Sequence, residues 1–508
     1  MHRCLRIPEI LAGAFEFLQD HHLYDVVCVC QSFLEPALDA LWGTVHLDIV
    51  LECILPLDLQ EISVDKITSQ EVHRLHFYLH RVRKTTHPSL PYLRVLEKFA
   101  KMANGTIVFP KLRSLSWQLE EAPSRYPPVF LGPSLIHVYI NMGEVSYVEH
   151  EAALSFITPH ANKLNIIISI HRVVDDNGLP ATSLFDTIGT LDHLQSVRVS
   201  CDSALNSTIL SMLARLPALQ HLELCISSAD FPKFSIPFHP GNFRYLEDLN
   251  CHHPTDSLIV ATTFMQLTHA LPLKEFIIDC DEYESSSLPI VMQLTSTLRE
   301  RCQLGTLSSM YLRCWSGEID PDLDVRSIVE PLLDFTNIRD LRLEFPLMLT
   351  SIDDDFFKRM IAAWPRLEQL VLLGDNYSEA ASPSRVTLEG ILALVACPRL
   401  HTLALSFDAT CDSASFAGQP ISRTADLPYL RYLSVGRSLI TNPFLLAATL
   451  SEIIPNLEVF EWSASAESSR DEIRAWEDFE KSYALCSKVR RQERGLPELE
   501  GIGECYGI

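Results

Sequence analysis

The stretch Leu367-Glu-Gln-Leu370-Val-Leu372 recurs, with small variations, along most of a chain of 508 residues. Its last three residues alternate apolar and polar side chains, the pattern of a strand with one buried face. Clear copies of this Leu-x-x-Leu-x-Leu pattern also begin at Leu219, Leu400 and Leu430. Looser copies begin at Leu112, Leu135, Leu164, Leu194, Leu246, Leu273, Leu307, Ile338 and Leu457. The mean spacing of about 29 residues is typical of a repeat protein.

Stretches with helical spacing of apolar residues lie between the copies, and many end at a proline that cannot continue a helix. The predicted helices are Ala204–Leu216, Ser257–Leu271, Val325–Phe335, Phe356–Trp364, Leu388–Cys397 and Phe444–Ile454. One strand and one helix cannot bury an apolar face alone, but stacked neighbours can. We therefore predict an α/β fold: a curved leucine-rich-repeat-like solenoid over residues 92–462, with a parallel sheet on its concave face and helices outside.

A doubly wound α/β protein would also contain leucine-rich strand and helix units. Thirteen copies favour the solenoid, and no Gly-x-Gly-x-x-Gly turn follows an early strand, as a dinucleotide-binding fold would require. Outside the repeats, residues 46–91 are predicted to form a helical linker with a helix near Glu71 to Val82. Residues 463–508 are predicted to form a helical tail or cap, because Trp476, Phe479, Tyr483 and Leu485 lie among many charges.

The composition limits the partners and the compartment. Hydrophobic residues make up 47% of the chain, and 41 Lys and Arg stand against 65 Asp and Glu, which gives a net charge of -24. A field of that sign repels nucleic acid and anionic lipid, so we expect neither partner. The fourteen Cys form no short disulfide framework. Because residues 1–18 lack a secretory pattern and no run of eighteen apolar residues occurs, we expect a cytoplasmic or nuclear protein.

The first 45 residues carry a second pattern. Apolar residues from Ile7 to Leu18 follow one helical face, and Pro8 suits the first turn of a helix. Two further short apolar segments follow, which predicts three helices too small to enclose a core of their own. Their surplus apolar surface must therefore meet a partner or the next domain. One alternative is that they only cap the open end of the solenoid.

The order Ile7-Pro8-Glu9-Ile10, then Phe15 and Leu18, Leu23, Val29-Cys30, Phe33, Ala37-Leu38 and Leu41-Trp42 resembles the F-box, particularly that of F-box proteins from mushroom-forming fungi. The resemblance covers residues 1–45. It implies docking on the Skp adaptor of a cullin-RING ubiquitin ligase while the repeats present a protein substrate. The adaptor-binding residues implied in this way are Ile7, Pro8, Ile10, Leu11, Phe15, Leu18, Leu23, Val29, Phe33, Leu38, Leu41 and Trp42.

This resemblance departs from the family at identifiable places. The usual leading Leu is Ile7, and the usual Trp of the third helix region is Phe33. The repeats also lack a regular Asn after the last Leu.

The resemblance as a whole implies that the chain is a non-catalytic substrate receptor of a Skp-cullin-F-box ligase. The alternative is a leucine-rich-repeat scaffold or binding module whose F-box serves a ligase-independent assembly.

No set of residues predicts catalysis, a cofactor or a metal. Cys28 and Cys30, near two histidines, and Cys251, next to His252 and His253, lack the second well-spaced pair that a zinc site needs. Asp353-Asp354-Asp355 is better interpreted as a helix amino terminus than as paired catalytic carboxylates. No Gly-x-Ser-x-Gly elbow is present. We therefore expect a protein that is not an enzyme.

The substrate surface is predicted from the strand positions that point away from the core. The central exposed positions are Ser116, Tyr139, Arg198, Glu223, Asn250, Ile277, Tyr311, Arg342, Val371, Ala404, Ser434 and Glu461. Arg and aromatic residues are enriched in binding hot spots. The predicted substrate-binding residues are therefore Arg198, Glu223, Tyr311, Arg313, Arg339, Arg342 and Tyr432. An Arg group in a chain this acidic would favour an acidic or phosphorylated segment.

Overall fold

A computed structural model of the full chain gives the fold. The structure describes residues 7–54, 68–86, 90–102, 107–119, 128–142, 154, 157–171, 182–201, 207–226, 238–252, 257–280, 288–314, 324–344, 351–373, 384–410, 427, 429–463 and 469–494. The chain divides into two compact units, Met1–Leu219 and Gln220–Ile508.

The first unit begins with three short helices and continues as a ladder of parallel strands in chain order. Its helices are α1 Pro8–Phe15, α2 Asp20–Val27, α3 Gln31–Leu41, α4 Leu47–Ile54, α5 Ser69–Leu79, α6 Leu90–Met102, α7 Thr182–Gly189 and α8 Ser207–Leu213. Its strands are β1 Thr44–His46, β2 Lys84–Thr86, β3 Ser114–Leu119, β4 His137–Met142, β5 Asn165–His171 and β6 Leu194–Cys201. Each strand pairs in parallel with the next one along the chain.

The second unit repeats the same arrangement. Its strands are β7 His221–Ile226, β8 Asp248–His252, β9 Glu275–Cys280, β10 Ser309–Cys314, β11 Asp340–Glu344, β12 Gln369–Leu373, β13 Thr402–Leu405, β14 Tyr432–Ser434 and β15 Val459–Glu461. Its helices are α9 Ser257–Leu267, α10 Leu288–Arg301, α11 Val325–Val329, α12 Asp354–Ala363, α13 Leu388–Leu392, α14 Pro443–Ile453 and α15 Arg470–Glu493. Short 3-10 turns, Glu330–Asp334 and Ala393–Ala396, extend α11 and α13.

The recurring leucines build the core of each unit. All thirteen predicted starting residues, from Leu112 to Leu457, are buried, and each lies at or just before a strand. Within one repeat, Leu367, Leu370 and Leu372 are all fully buried. Parallel pairing places the middle leucines of successive strands, such as Leu370 and Leu403, side by side; the register shifts once, between β5 and β6, at Ile166 and Ile167. The predicted leucine-rich-repeat-like α/β fold is therefore confirmed.

The six helices predicted from apolar spacing are present within their described residues. Asp353 caps α12 by accepting a hydrogen bond from the Phe356 amide at 2.9 Å, which confirms that the acidic triplet marks a helix amino terminus. Thr387 and Asn442 cap α13 and α14 in the same way. Capping accounts for where these helices begin, and the following proline accounts for where several of them end. The predicted residues 204–206 lie outside the described part of the chain.

Two strands appear where only a helical linker is predicted. Strands β1 and β2 lie before residue 92 and pair in parallel, and β2 pairs with β3. The helix predicted near Glu71 is present as α5, and a reciprocal capping box between Thr68 and Glu71 starts it. The parallel ladder therefore begins at Thr44, well before the predicted start of the solenoid.

The carboxy-terminal helix covers the last described repeat of the second unit. A capping box between Ser469 and Glu472 begins α15, which packs against α14. Trp476 is buried against Phe460, and its indole nitrogen donates to the Ser438 carbonyl at 3.1 Å. Phe479 and Tyr483 are also buried, and the Tyr483 hydroxyl donates to the Ile454 carbonyl. Leu485 is 69% exposed, because its position falls on the opposite side of the helix.

Replacing Leu403 by Ala tests the buried ladder. Leu403 is fully buried between Leu370 and Leu433 of the neighbouring strands. We expect the free energy of unfolding to fall by about 2–5 kcal/mol, because a cavity remains in a packed core. Urea denaturation followed by circular dichroism measures it, and Arg399→Ala, at an exposed position before the same strand, is the control. A loss below about 0.5 kcal/mol would contradict the assigned register.

The paired variants Trp476→Ala and Leu485→Ala test how α15 packs. Trp476 loses buried ring contacts, so its replacement should lower stability by about 3–5 kcal/mol. Leu485 is exposed on the same helix, so its replacement should change stability by less than about 0.5 kcal/mol. Thermal melting of the full chain compares the two. Equal effects would show that α15 does not dock by the face described here.

Candidate interaction surfaces

The first three helices enclose a small apolar core of their own, so the expectation that they are too small to do so is wrong. Leu11, Phe15, Leu23 and Ala37 are buried together, and Phe33 packs edge-on against Phe15 with ring centroids 5.6 Å apart. Pro8 lies in the first turn of α1, where the missing amide removes no helical hydrogen bond. These contacts hold α1, α2 and α3 as one compact element.

The predicted adaptor-binding residues divide into three groups in the structure. Leu11, Phe15 and Leu23 are buried in the small core, and Leu18, Phe33 and Leu41 pack against it. Ile7, Pro8, Ile10 and Val29 are exposed. Leu38 and Trp42 are half-buried, and the Trp42 ring lies 4.5 Å from that of Tyr78 on α5. The single helical face predicted from spacing is thus split into an edge that holds the helices together and an edge that faces outward.

The outward edge is larger than the predicted residues alone. Ile7, Ile10 and Ala14 recur every three or four residues along α1, and Phe17, just after its end, is 90% exposed. Tyr24 on α2 is exposed as well. Sequence reasoning did not select Phe17 or Tyr24, although the three-to-four-residue spacing was a signal that could have included Phe17. We call the residues Ile7, Ile10, Ala14, Phe17, Tyr24 and Val29 the apolar helix edge.

An ionic junction fastens the three helices to the repeats of the first unit. Arg81, which follows α5 and is only 8% exposed, donates to Asp39 at 2.5 Å and to Glu35 at 2.6 Å, both on α3. Its guanidinium also lies 4.5 Å from the centre of the Phe77 ring. The Lys111 ammonium reaches the second oxygen of Asp39 at 3.1 Å. Sequence reasoning missed this junction, because its partners are more than forty residues apart.

In the second unit, the predicted central positions fall in one row across the strands. Glu223, Asn250, Ile277, Tyr311 and Arg342 are register partners in turn, and Val371, Ala404, Ser434 and Glu461 continue the row. The first five are half-buried on the solvent face. Val371, Ala404 and Ser434 are buried, so the expectation that they are exposed is wrong. The open part of this face is therefore formed by strands β7 to β11.

The predicted Arg residues of this face lie beside carboxylates. The Arg342 Nε donates to Asp340 at 3.1 Å, and its outer nitrogen donates to Gln369. Arg313 lies 3.9 Å from Asp279, and Arg339 lies 4.0 Å from Glu368. Because each guanidinium has a neighbouring carboxylate, these residues do not form a cationic patch. The charge argument for an acidic or phosphorylated substrate therefore loses its support.

The remaining predicted substrate residues to be placed are Arg198, Tyr311 and Tyr432. Arg198 belongs to β6 of the first unit, where its register partner is Ser169. Tyr311 donates to Glu344 at 3.3 Å, and the Tyr432 hydroxyl donates to Glu461. Burial, followed by the carboxylate of Glu344, raises the pKa of Tyr311 to about 12, so its hydroxyl keeps its proton at neutral pH. Tyr311 is thus a neutral donor among charged neighbours.

The described residues contain no cluster of His, Cys, Asp and Glu that could hold a metal ion. Cys251 is fully buried in the core of β8, where burial raises the pKa of its thiol, and His253 lies outside the described residues. His252 lies on the solvent face, 3.8 Å from Glu223. Among the described helices, none combines the length and apolar character that crossing a bilayer requires.

Comparison with known proteins assigns the chain to no family. No protein-family model and no curated protein matches the sequence. The chain is similar to TLR13 in the crystal structure of a TLR13–ssRNA13 complex, at 12% identity and a TM-score of 0.36, over 84% of this chain and 51% of that one. It thus spans about half the length of TLR13. An endo-beta-mannanase/endo-beta-glucanase of Prevotella bryantii aligns at 8% identity and a TM-score of 0.13, over 78% of this chain and 72% of that one.

The variants Arg81→Met and Arg83→Met test the ionic junction. Losing Arg81, whose side chain is 9% exposed, removes its charged hydrogen bonds to Glu35 and Asp39 while Lys111 still contacts Asp39, which should lower stability by about 1.5 kcal/mol or more. Arg83 pairs with Glu16 at 3.1 Å in a more exposed setting, so its loss should change stability by less than about 1 kcal/mol. Denaturation of the full chain compares them. If the Arg81 variant unfolds like the Arg83 variant, the junction is not a stabilising contact.

Proposed function

We propose that the protein is the substrate-recognition subunit of a Skp-cullin-F-box ubiquitin ligase. In this proposal α1 to α3 dock on the Skp adaptor, the strand face of the repeats holds a protein substrate, and the chain itself catalyses no reaction. The observation that carries the proposal is the apolar helix edge, which lies on α1, on α2 and beside their ends, in a segment whose sequence resembles the F-box.

The exposure of this edge favours docking over capping. A helix that only covers the end of a repeat array turns its apolar side inward, as α15 does with Trp476, Phe479 and Tyr483. In α1, by contrast, Ile7 and Ile10 remain 42% and 47% exposed. Neighbouring exposed apolar residues on one element are typical of a protein interface. The small core beneath them and the outward edge above them fit an element that packs on one side and binds on the other.

The mechanism is one of positioning. A receptor that holds a substrate near a charged conjugating enzyme raises the effective concentration of substrate lysines, and the partners perform the chemistry. Such a receptor works best when its two binding elements do not move freely, because a flexible link lowers effective concentration. Within the first unit, the Arg81 junction holds α3 against the first repeats through two charged hydrogen bonds.

A repeat scaffold with a ligase-independent F-box is the second candidate. It shares the adaptor contact and the binding face, and it differs only in whether a cullin joins the complex. The negative charge of the chain disfavours nucleic acid as the ligand of either version. Purification of the tagged chain with and without a proteasome inhibitor separates the two, because only a ligase receptor brings down a cullin and stabilised ubiquitinated protein.

Replacing Ile10 by Glu tests the adaptor contact. Ile10 is exposed and belongs to the resemblance, so a charge there should not unfold the helices but should weaken adaptor binding by about 2 kcal/mol or more. The measurement is isothermal titration of the purified Skp adaptor into the full chain. Ile136→Glu is the matched control, because Ile136 is also 47% exposed but lies between β3 and β4.

The outcomes separate the docking surface from general effects of charge. We expect the Ile10 variant to lose binding and the Ile136 variant to bind as the unmodified chain does. Binding that survives Ile10→Glu would show that the adaptor does not use this edge. An unmodified chain that fails to bind any Skp adaptor would overturn the proposed function.

A further inference from the structure

Strands β7 to β11 present three rows of side chains on the solvent face of their sheet. The first row contains His221, Asp248, Glu275, Ser309 and Asp340 as successive register partners. The middle row contains Glu223, Asn250, Ile277, Tyr311 and Arg342. The third row contains His252, Asp279, Arg313 and Glu344. Rows lie about 7 Å apart along the strands, and strands about 4.8 Å apart across them.

Carboxylates outnumber cations on this face, even with the ion pairs included. The acidic residues are Glu223, Asp248, Glu275, Asp279, Asp340 and Glu344, and the Arg residues are Arg313, Arg342 and, just before β11, Arg339. The His221 ring contacts Asp248, and His252 lies near Glu223, so both histidines also stand beside carboxylates. The face is therefore negative at neutral pH.

The acidic residues are crowded rather than spread out. Burial, then the carboxylates of Asp248 and Asp340, raises the pKa of Glu275, although His221 opposes the shift. A raised pKa means that ionised Glu275 lowers folded-state stability as pH rises through the carboxylate range. Within the described part of the chain, two buried acceptor atoms on the same face, Oδ1 of Asn250 and Oδ1 of Asp279, accept no hydrogen bond, and Asp279 Oδ1 lies 3.9 Å from Arg313 Nε. The solvent face of β7 to β11 thus has an excess of negative charge and of hydrogen-bond acceptors.

The middle row supplies a different surface between these acids. Ile277 and Tyr311 are half-buried register partners at its centre; carboxylates flank Ile277 on β9, Glu275 before and Asp279 after, while Ser309 and Arg313 flank Tyr311 on β10. The side chains of Lys and Arg combine a long apolar stem with a cationic head. If the apolar part of such a side chain packs on Ile277 and the Tyr311 ring, its cationic group lies within reach of carboxylates in the first or the third row. The cationic group is also attracted to the Tyr311 ring itself.

We propose that the solvent face of β7 to β11 binds an extended, lysine- or arginine-bearing segment of the substrate protein. The proposal rests on the proposed function, because it names the chemistry of the substrate that the receptor would hold. Complementary charge across such a face directs the choice of partner and speeds encounter. It also excludes the opposite class, since an acidic or phosphorylated segment would place like charges against Asp248, Glu275 and Asp279.

Peptide binding to the full-length protein tests this proposal. The probes are a fluorescein-labelled peptide of alternating lysine and serine, the same peptide with glutamate in place of lysine, and one with phosphoserine in place of lysine. The test variant combines Asp248→Asn, Glu275→Gln and Asp279→Asn. Its charge-matched control combines Glu477→Gln, Asp478→Asn and Glu493→Gln, three exposed positions on α15. Fluorescence anisotropy at several salt concentrations measures affinity.

The expected result depends on the sign of the peptide's charge and on which part of the protein is changed. The lysine peptide binds the unmodified chain, binds roughly tenfold more weakly to the sheet variant, and keeps its affinity for the α15 control, as three partly screened charge pairs predict. Salt weakens binding. Because the sheet variant relieves repulsion around Glu275, its melting temperature should not fall far, so lost binding would not reflect unfolding.

Other results overturn the proposal. No binding of the lysine peptide, equal loss in both triple variants, or tighter binding of the glutamate or phosphoserine peptide would each show that the face does not select a basic segment. Titration of the Skp adaptor into the same protein preparations shows whether they bind the adaptor. Failure of the basic-segment proposal can thus be distinguished from failure of the receptor proposal. Adaptor binding by a chain that ignores the lysine peptide refutes the basic substrate but leaves the receptor proposal standing.

Discussion

The parallel stacking of buried leucines is the constraint on which the rest of the structure depends. The apolar side of one short strand, such as Leu370 and Leu372 in β12, cannot be covered within its own repeat. The neighbouring strand covers it only in parallel and in register, because a shift of one residue would turn every leucine outward. The core therefore fixes the other side of the sheet as well, and the residues between the leucines form rows that a partner can reach.

Stacking creates a second requirement, because a repeat array has ends whose edges need cover. In the second unit α15 meets it with Trp476 and Tyr483 turned inward. In the first unit α1 to α3 instead enclose a small core of their own, and Arg81 holds α3 by hydrogen bonds. Their apolar helix edge stays exposed. The proposal of adaptor docking rests on this difference between α15 and α1 to α3.

The elements predicted correctly from the sequence are those with local periodic signals. Leu-x-x-Leu-x-Leu located thirteen strands, and Asp353 marked the start of α12. Strands β1 and β2 escaped prediction because no copy of the leucine pattern stands at either of them. Contacts between distant residues left no local signal. The Arg81 junction was therefore missed, and Arg313 and Arg342 were assigned a cationic role that their neighbouring carboxylates remove.

Hydrogen exchange of the full-length chain, measured by mass spectrometry with and without the Skp adaptor, determines whether α1 to α3 dock on the adaptor. We expect slower exchange in peptides from α1 to α3 and unchanged exchange in peptides from β8 to β11, where the substrate face should remain open. Protection confined to the strands, or no protection in α1 to α3 at saturating adaptor, would contradict this expectation.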